Sequence, residues 1–310
     1  MTALPLALVI PLLFWEGGVE TAPNLTKAGI QQIAVPREHA DQWKTQRTIE
    51  IQPFDPQNAV KLKPPSTRYE SSIASASRAP WIESNGWRML RDPKAKFYYD
   101  APGAAGALAA AEAFMFGATA AVHTDQAGFE SLCRMLVFLS ALAEPGLEQL
   151  ANIGYVDDGS RMSAEVMNLF VRRNLLFKVV SQPDPNLDLT VQLGTANYSK
   201  KDAMNPGHFA ELVRGDLTDE KRLLRIYGNN VVIGRLEGDA NHVRVHLMNC
   251  DPKAEAPPGV RVRVKGVFAK HRAAIFGDDS ATLEDFSADV AATEFAVPHL
   301  AVYAVVDLSR

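Results

Sequence analysis

Four apolar runs in the first 125 residues each end on a carboxylate, the side-chain type that general acid–base chemistry requires. The runs are LVIPLLFWE, RAPWIE, KFYYD and ATAAVHTD, and they end at Glu16, Glu83, Asp100 and Asp125. In folds built from parallel strands and crossover helices, the carboxyl ends of the strands form the ligand-binding rim. The pattern therefore predicts several acids at one edge of a sheet, and these four are the candidate catalytic residues.

Aromatic and amide side chains accompany the acids and indicate the kind of ligand. Indole and phenol faces stack against the apolar faces of sugar rings, and an amide hydrogen-bonds a hydroxyl group. We therefore expect a polyhydroxylated ligand. The candidate substrate-binding residues are Trp15, Trp81, Asn85, Trp87, Tyr99 and His123.

A structural role is the alternative for three of the acids. Glu16 precedes two glycines and is equally suited to cap a turn or a helix. Asp100 and Asp125 each precede a helical segment, where a carboxylate accepts hydrogen bonds from free backbone N–H groups. For Asp125 we favour the cap.

Glu83 has the most varied surroundings of the four acids. The neighbouring indoles favour a raised carboxyl pKa through desolvation, and Asn85 supplies an amide for a sugar hydroxyl. The alternative is a structural ion pair with Arg88 or Arg91. The two tryptophans are core anchors unless they prove exposed.

Composition excludes several classes of protein and of site. The chain has 310 residues, 47% of them hydrophobic, and a net charge of −4 without a basic stripe, so we expect no nucleic-acid partner. Seven scattered histidines and two cysteines form no HExxH or zinc pattern, so no metal is predicted. GAAGALAAAE is not a GxGxxG fingerprint, and we expect no cofactor.

The chain start bears on localisation. Residues 1–14 resemble the apolar core of a signal peptide but lack a basic region and a cleavage site. They are too short to span a membrane, and we expect a first buried strand from Leu6 to Trp15. If an upstream leader is missing, the protein is secreted or periplasmic. Otherwise it is cytoplasmic.

The pattern of apolar residues predicts an α/β plus all-β chain in three domains. Residues 1–150 alternate strands and helices, which favours an incomplete or full (β/α) barrel-like domain with a loop or interrupted unit at 57–79. Residues 151–228 repeat the alternation as a small doubly wound α/β domain. In residues 229–310, apolar and polar residues alternate with a period of two, which predicts an antiparallel β-sandwich.

This order of domains resembles that of several glycoside hydrolases. It is similar to the β-galactosidase type in which a barrel precedes a flavodoxin-like domain related to class I glutamine amidotransferases and a C-terminal β-sandwich. The middle domain has no Gly-x-Cys-x-Gly elbow, which fits a non-catalytic role. The resemblance is architectural and implies a carbohydrate ligand and hydrolysis of O-glycosyl bonds.

Two functional hypotheses follow. The first is a glycoside-hydrolase-like, carbohydrate-active protein with its site at the strand ends of the N-terminal domain. The second is a non-catalytic, degenerate relative that binds glycans or forms a homo-oligomer through the apolar middle-domain helix SAEVMNLFVRRN. The two differ in whether the acids converge in one cleft or scatter as helix caps.

Overall fold

The computed structural model describes residues 10–68, 80–142, 147–251 and 259–310. The part of the predicted first strand before residue 10, and residues 69–79 of the predicted loop, lie outside these ranges. Contacts within the chain define two units. The first unit is Met1–Pro65 with Asp92–Gly146, and the second is Ser66–Arg91 with Leu147–Arg310.

Strands and helices alternate through most of the described residues up to 142, but four strands follow one another between residues 50 and 83. The strands are β1 (Leu12–Phe14), β2 (Gln32–Pro36), β3 (Glu50–Phe54), β4 (Val60–Leu62), β5 (Ser66–Arg68), β6 (Trp81–Glu83), β7 (Lys96–Asp100) and β8 (Thr119–His123). The helices are α1 (Ala22–Lys27), α2 (Gly86–Arg91), α3 (Ala105–Met115) and α4 (Phe129–Leu142), with 3₁₀ helices at Val19–Thr21 and Arg37–Trp43.

Six strands of the first unit form one parallel sheet in the order β3-β2-β1-β8-β7-β4. The last of these strands, β8, pairs with the first, β1. Among these six, each strand pairs with the next along the chain except that β3 and β4 do not pair with each other. One face of the sheet carries an apolar cluster of Leu12, Phe14, Ala34, Phe54 and Ala121.

Small residues allow close packing around the sheet of the first unit. The alanine-rich helix α3 is buried along nearly its whole length, including Glu112. Alanine has a high helix propensity and little bulk, so such a helix can be enclosed on all sides. Cys133 on α4 and Cys250 in the second unit are both buried and do not form a disulfide with each other.

The second unit holds the remaining elements. Its further strands are β9 (Gln149–Leu150), β10 (Ile153–Val156), β11 (Phe177–Val180), β12 (Leu189–Gln192), β13 (Leu224–Tyr227), β14 (Val232–Gly238), β15 (His242–Asn249), β16 (Val260–Lys265), β17 (Lys270–Ile275), β18 (Glu284–Asp289), β19 (Ala292–Val297) and β20 (Tyr303–Ser309). Its further helices are α5 (Arg161–Arg172), α6 (Lys200–Ala203) and α7 (Pro206–Leu217).

A small parallel sheet of order β11-β10-β12 begins the second unit after residue 147. The helices beside it start at side-chain caps, as their sequences predict. The Ser160 hydroxyl accepts from the Ser163 N–H at the start of α5, and Asn205 accepts from the His208 N–H at the start of α7. Strands β5 and β6 form an antiparallel pair in this unit.

Two antiparallel sheets complete the second unit, in the orders β13-β16-β19-β18 and β17-β20-β15-β14-β9. Alternating side chains from both sheets enter one apolar cluster, which includes Val262 and Phe295 from the first sheet and Val245 and Val306 from the second. The chain is thus a mixed α/β protein with several sheets. Residues 66–91 belong to the second unit, whereas the sequence pattern groups them with residues 1–150.

Candidate functional site

The carboxyl ends of three neighbouring parallel strands bring Glu16, Asp100 and His123 together. The Nδ1 atom of His123 lies 2.9 Å from Asp100 Oδ1, and its Nε2 atom lies 3.9 Å from Glu16 Oε2. β8 lies between β1 and β7 in the sheet, and Asp100 is the register partner of His123. The imidazole therefore stands between two carboxylates that are 84 residues apart in the chain.

Strand alternation explains why these side chains share a face. Successive residues of a strand point to opposite faces, so residues two apart point to the same one. Asp100 is two residues after Tyr98, and Glu16 is two residues after Phe14. Tyr98 packs against Phe14 with ring centroids 5.3 Å apart, and Phe54 joins them at 6.1 Å from Phe14. The polar group thus follows an aromatic layer along the same face.

The polar layer is accessible to a ligand. The side chains of Glu16 and Asp100 are 65% and 74% exposed, and that of His123 is 32% exposed. The aromatic residues beneath them are buried or half-buried. A ligand that reaches the carboxylates therefore meets charged groups at the surface and an apolar floor below.

Tyr98 adds a hydrogen-bond donor to this site. Burial raises the pKa of its phenol to about 12, and the negative charges of Asp100 and Glu16 act in the same direction. The phenol therefore stays protonated at neutral pH. KFYYD holds two tyrosines, and the alternation of the strand places Tyr98, and not the predicted Tyr99, on the face of Asp100.

The turn that carries Glu16 is fixed by its neighbours. Trp15 donates its indole N–H to Thr21 Oγ1 at 2.8 Å and packs its ring against Phe129. A Cβ atom at Gly17 would lie 2.6 Å from the Trp15 Nε1 atom, so the turn requires a residue without a side chain there. Trp15 therefore supports the position of Glu16, and its N–H group is already engaged.

Asp125 holds two backbone segments together at the surface. Its Oδ1 atom accepts from the Gly103 N–H at 2.8 Å and the Gly128 N–H at 2.9 Å. These two hydrogen bonds lower the pKa of the carboxyl group. Asp125 thus joins the turn before α3 to the turn before α4, which is a structural role like the cap that its sequence favours, although neither N–H group belongs to α4 itself.

Tyr99 faces away from this site. Its side chain is buried, and its hydroxyl donates to Glu112 Oε2 on α3 at 2.6 Å. Because Tyr98 and Tyr99 are adjacent on a strand, only one of them can face the carboxylates. A direct contact between Tyr99 and a ligand is not compatible with this burial.

Glu83 lies in the second unit and has partners there. It accepts a hydrogen bond from the Ser66 hydroxyl at 3.1 Å and forms an ion pair with Arg68 on the paired strand. The ion-pair alternative predicted Arg88 or Arg91 as the partner, and the structure has Arg68 instead. Arg91 binds Asp157 through two hydrogen bonds of 2.7 Å.

The other predicted ligand-binding residues of this segment also belong to the second unit. Trp81 is 40% exposed and carries the Arg172 guanidinium 3.4 Å from its ring centroid. Arg88 lies over Trp87 at 4.2 Å. The Asn85 carbonyl accepts backbone N–H bonds at the start of α2. The structure thus brings together two of the four predicted acids, with His123.

Within the described ranges, no three His, Cys, Asp or Glu side chains are grouped to hold a metal ion. No helix in those ranges is long and apolar enough to cross a bilayer.

Comparison with known proteins gives a likeness of fold. No family model and no curated protein sequence matches the chain. The structure is similar to alpha-L-fucosidase isoenzyme 2 from Paenibacillus thiaminolyticus, with a TM-score of 0.51 and 8% identity, over 72% of this chain and 62% of that one. The chain therefore spans less than two thirds of the length of that enzyme.

Two further solved structures are beta-galactosidases. The enzyme from Rahnella sp. R3 has a TM-score of 0.38 and 8% identity, over 93% of this chain and 62% of that one. A GH42 beta-galactosidase has a TM-score of 0.36 and 8% identity, over 81% of this chain and 53% of that one. These two scores carry no argument. The structural neighbours are glycoside hydrolases, and the likeness to the fucosidase concerns the fold alone.

Proposed function

We propose that this chain is a carbohydrate-active, glycoside-hydrolase-like protein whose site is formed by Glu16 and Asp100 with His123 and Tyr98. The observation that carries the proposal is the placement of two exposed carboxylates on either side of one imidazole at the ends of parallel strands. The fold shared with the fucosidase supports it.

The spacing of the carboxylates suits cleavage of a glycosidic bond. The two contacts of His123 and the width of its ring limit the distance between Asp100 Oδ1 and Glu16 Oε2 to about 9 Å, and paired glycosidase carboxyl groups lie roughly 5–10 Å apart. One group would protonate the leaving oxygen. The other would attack the anomeric carbon or activate a water, while Tyr98 donates to a sugar oxygen.

The arrangement of elements supports the finer architecture that we propose. The order of the six parallel strands is cyclic, because the last pairs with the first, and this is the connectivity of a (β/α) barrel with its break between β3 and β4. The shared core of the two antiparallel sheets fits a β-sandwich. We retain the predicted boundaries near residues 150 and 228 as part of this proposal.

Substitution of each acid tests the catalytic proposal. The substrate panel starts with aryl α-L-fucosides, after the fucosidase neighbour, and includes aryl β-D-galactosides. Glu16→Gln and Asp100→Asn should each lower kcat/KM by about 10²–10⁴-fold with an unchanged circular dichroism spectrum. Asp125→Asn is the matched control and should retain activity. Equal activity in all four proteins would refute the assignment.

The leaving group separates the roles of the two acids. A dinitrophenyl glycoside needs no protonation, so the variant that lacks the general acid should recover much of its activity on this substrate. The variant that lacks the nucleophile or base should stay inactive, and azide should restore turnover of that variant. If both variants behave alike, the two carboxyl groups do not divide the work in this way.

A non-catalytic glycan-binding protein is the second candidate. The observation that favours it is the 2.9 Å contact of His123 with Asp100, because the ring occupies space between the two acids. Binding of fucosylated or galactosylated glycans without hydrolysis, weakened in both acid variants, would select this candidate. A homo-oligomer through α5 is less well supported, since Val166, Met167, Leu169 and Phe170 are buried inside their own unit. Light scattering measures this directly.

A further inference from the structure

Arg172, the last residue of α5, differs from the other arginines of the second unit. In the described part of that unit, every other buried or half-buried arginine lies within 4.0 Å of a carboxylate oxygen. These arginines are Arg91, Arg222, Arg225, Arg235, Arg244 and Arg263. Arg172 is half-buried and has no carboxylate partner among the described residues.

The contacts of Arg172 fix its guanidinium without neutralising it. Its carbon Cζ lies 3.4 Å from the centroid of the Trp81 ring, which is a close cation–π stack. Its Nε atom lies 3.4 Å from the Asn168 carbonyl oxygen of the same helix. The two Nη groups make no hydrogen bond to the described residues. Their four N–H donors therefore form a fork that no hydrogen bond from the described residues uses.

Two further arginines are neighbours of Arg172 and Trp81. Arg173 is adjacent in the chain, and Arg68 is the register partner of Trp81 in the β5–β6 pair. The one acid of that pair, Glu83, is already bound by Arg68 and Ser66. Burial, and to a lesser degree the charge of Arg173, lower the pKa of Arg172 to about 10, although the charge of Glu165 acts in the opposite direction. A helix C-terminus favours a cation, but it does not remove the cost of desolvating one.

We propose that Arg172, stacked on Trp81, forms a binding site for an oxyanion, namely a carboxylate, sulfate or phosphate group. A planar guanidinium with two free Nη groups matches two oxygens of such a group. The site lies in the second unit and does not depend on the proposed catalytic residues. The oxyanion comes either from a free anion or from an acidic sugar, and the probes below distinguish these sources.

Direct binding measurements test the site. The probes are sulfate, phosphate, acetate and D-galacturonate, with D-galactose and sodium chloride at equal ionic strength as controls. Tryptophan fluorescence and calorimetry should show saturable binding of at least one oxyanion and none of galactose. Tighter binding of galacturonate than of acetate identifies a sugar-borne anion, and tighter binding of sulfate or phosphate identifies a free one. No saturable binding of any oxyanion would overturn the proposal.

Substitutions assign the binding to Arg172. Arg172→Gln should weaken binding about tenfold or more, and Arg172→Lys, which keeps the charge but loses the fork, should weaken it about fivefold. Arg88→Gln is the matched control, because Arg88 stacks on Trp87 but is exposed, and it should bind like the parent. Equal binding by Arg172→Lys and the parent would place the anion elsewhere.

Stability without an anion gives an independent readout. If Arg172 is an anion-binding residue, then without an anion Arg172→Met removes a half-buried charge that has no counter-ion and keeps the apolar contact with Trp81. The variant should then unfold at the same temperature as the parent or a higher one, and sulfate should stabilise only the parent. A purely structural cation–π contact would instead make Arg172→Met less stable with and without the anion.

Discussion

The ion pair between Arg91 and Asp157 attaches α2 to the start of α5, and replacing Asp157 by Asn removes it with little change of shape. Two hydrogen bonds of 2.7 Å join the guanidinium to both carboxylate oxygens. The Ser163 hydroxyl also donates to Asp157. The side chains of Asp157 and Arg91 are only 13% and 24% exposed, so solvent screens the pair weakly.

The size of the effect follows from the pKa of Asp157. The Arg91 hydrogen bonds, and to a lesser degree that of Ser163, outweigh burial and lower this pKa from 3.8 to about 2. The difference corresponds to about 2.5 kcal/mol of folding free energy. Because the folded pKa is the lower one, this stability is fully present above about pH 5 and is lost as the pH falls toward 2.

We therefore expect Asp157→Asn to lower the free energy of unfolding of the second unit by about 2.5 kcal/mol at pH 7. At pH 2.5 this destabilisation should be smaller by about 1.5 kcal/mol. Equilibration in urea at each pH, followed by a deuterium pulse and analysis of peptides from α5, measures this unit by itself. Asp158→Asn is the control, since Asp158 is 40% exposed and lies 3.7 Å from Lys200, and it should cost about 0.5 kcal/mol. A difference between parent and Asp157→Asn that does not change with pH would refute the reasoning.

Two further substitutions test the assignments made in the first unit. Asp125→Ala removes both hydrogen bonds to the two turns and should lower the thermal unfolding midpoint, while any glycosidase activity stays within about twofold of the parent. A large loss of activity with unchanged stability would return Asp125 to the site. Tyr99→Phe removes the hydroxyl that donates to buried Glu112 and should cost about 1–3 kcal/mol in urea unfolding without changing KM. A raised KM at unchanged stability would show that Tyr99 contacts the ligand.

Local sequence signals predicted many of the elements. The helix Pro206–Leu217 carries clear local signals, because Asn205 caps it and proline is favoured at its first position. Strand β18 carries no such signal, since EDFSAD is polar and pairs with β19 at the edge of its sheet. Strands β4 and β5 have three residues each, too few to show a period, so residues 57–79 read as a loop.

The acids illustrate what a strand-end pattern can and cannot predict. Asp100 and Glu16 end parallel strands that are close in the sheet, so their side chains converge. Glu83 also ends an apolar run, but its strand belongs to the antiparallel pair β5–β6 in the second unit. The sequence of an apolar run that ends at an acid does not show whether the strand beside it is parallel or antiparallel. The contact of His123 with Asp100 likewise depends on the register of β7 and β8, which no local signal encodes.

The spacing between an acid and the preceding aromatic residue of the buried layer distinguishes these acids from one another. Glu16 and Asp100 follow Phe14 and Tyr98 of the aromatic layer by two residues, so each shares its face. Asp55 also follows a strand of this sheet directly, but it lies only one residue after Phe54 of the same layer, and its carboxylate accepts from the Gln57 N–H and the Asn58 amide instead. An acid two residues after the aromatic residue is thus a candidate site residue, whereas the acid one residue after it caps a turn. In a parallel sheet, an acid two residues beyond a buried aromatic is therefore a more specific signal than an acid at a strand end.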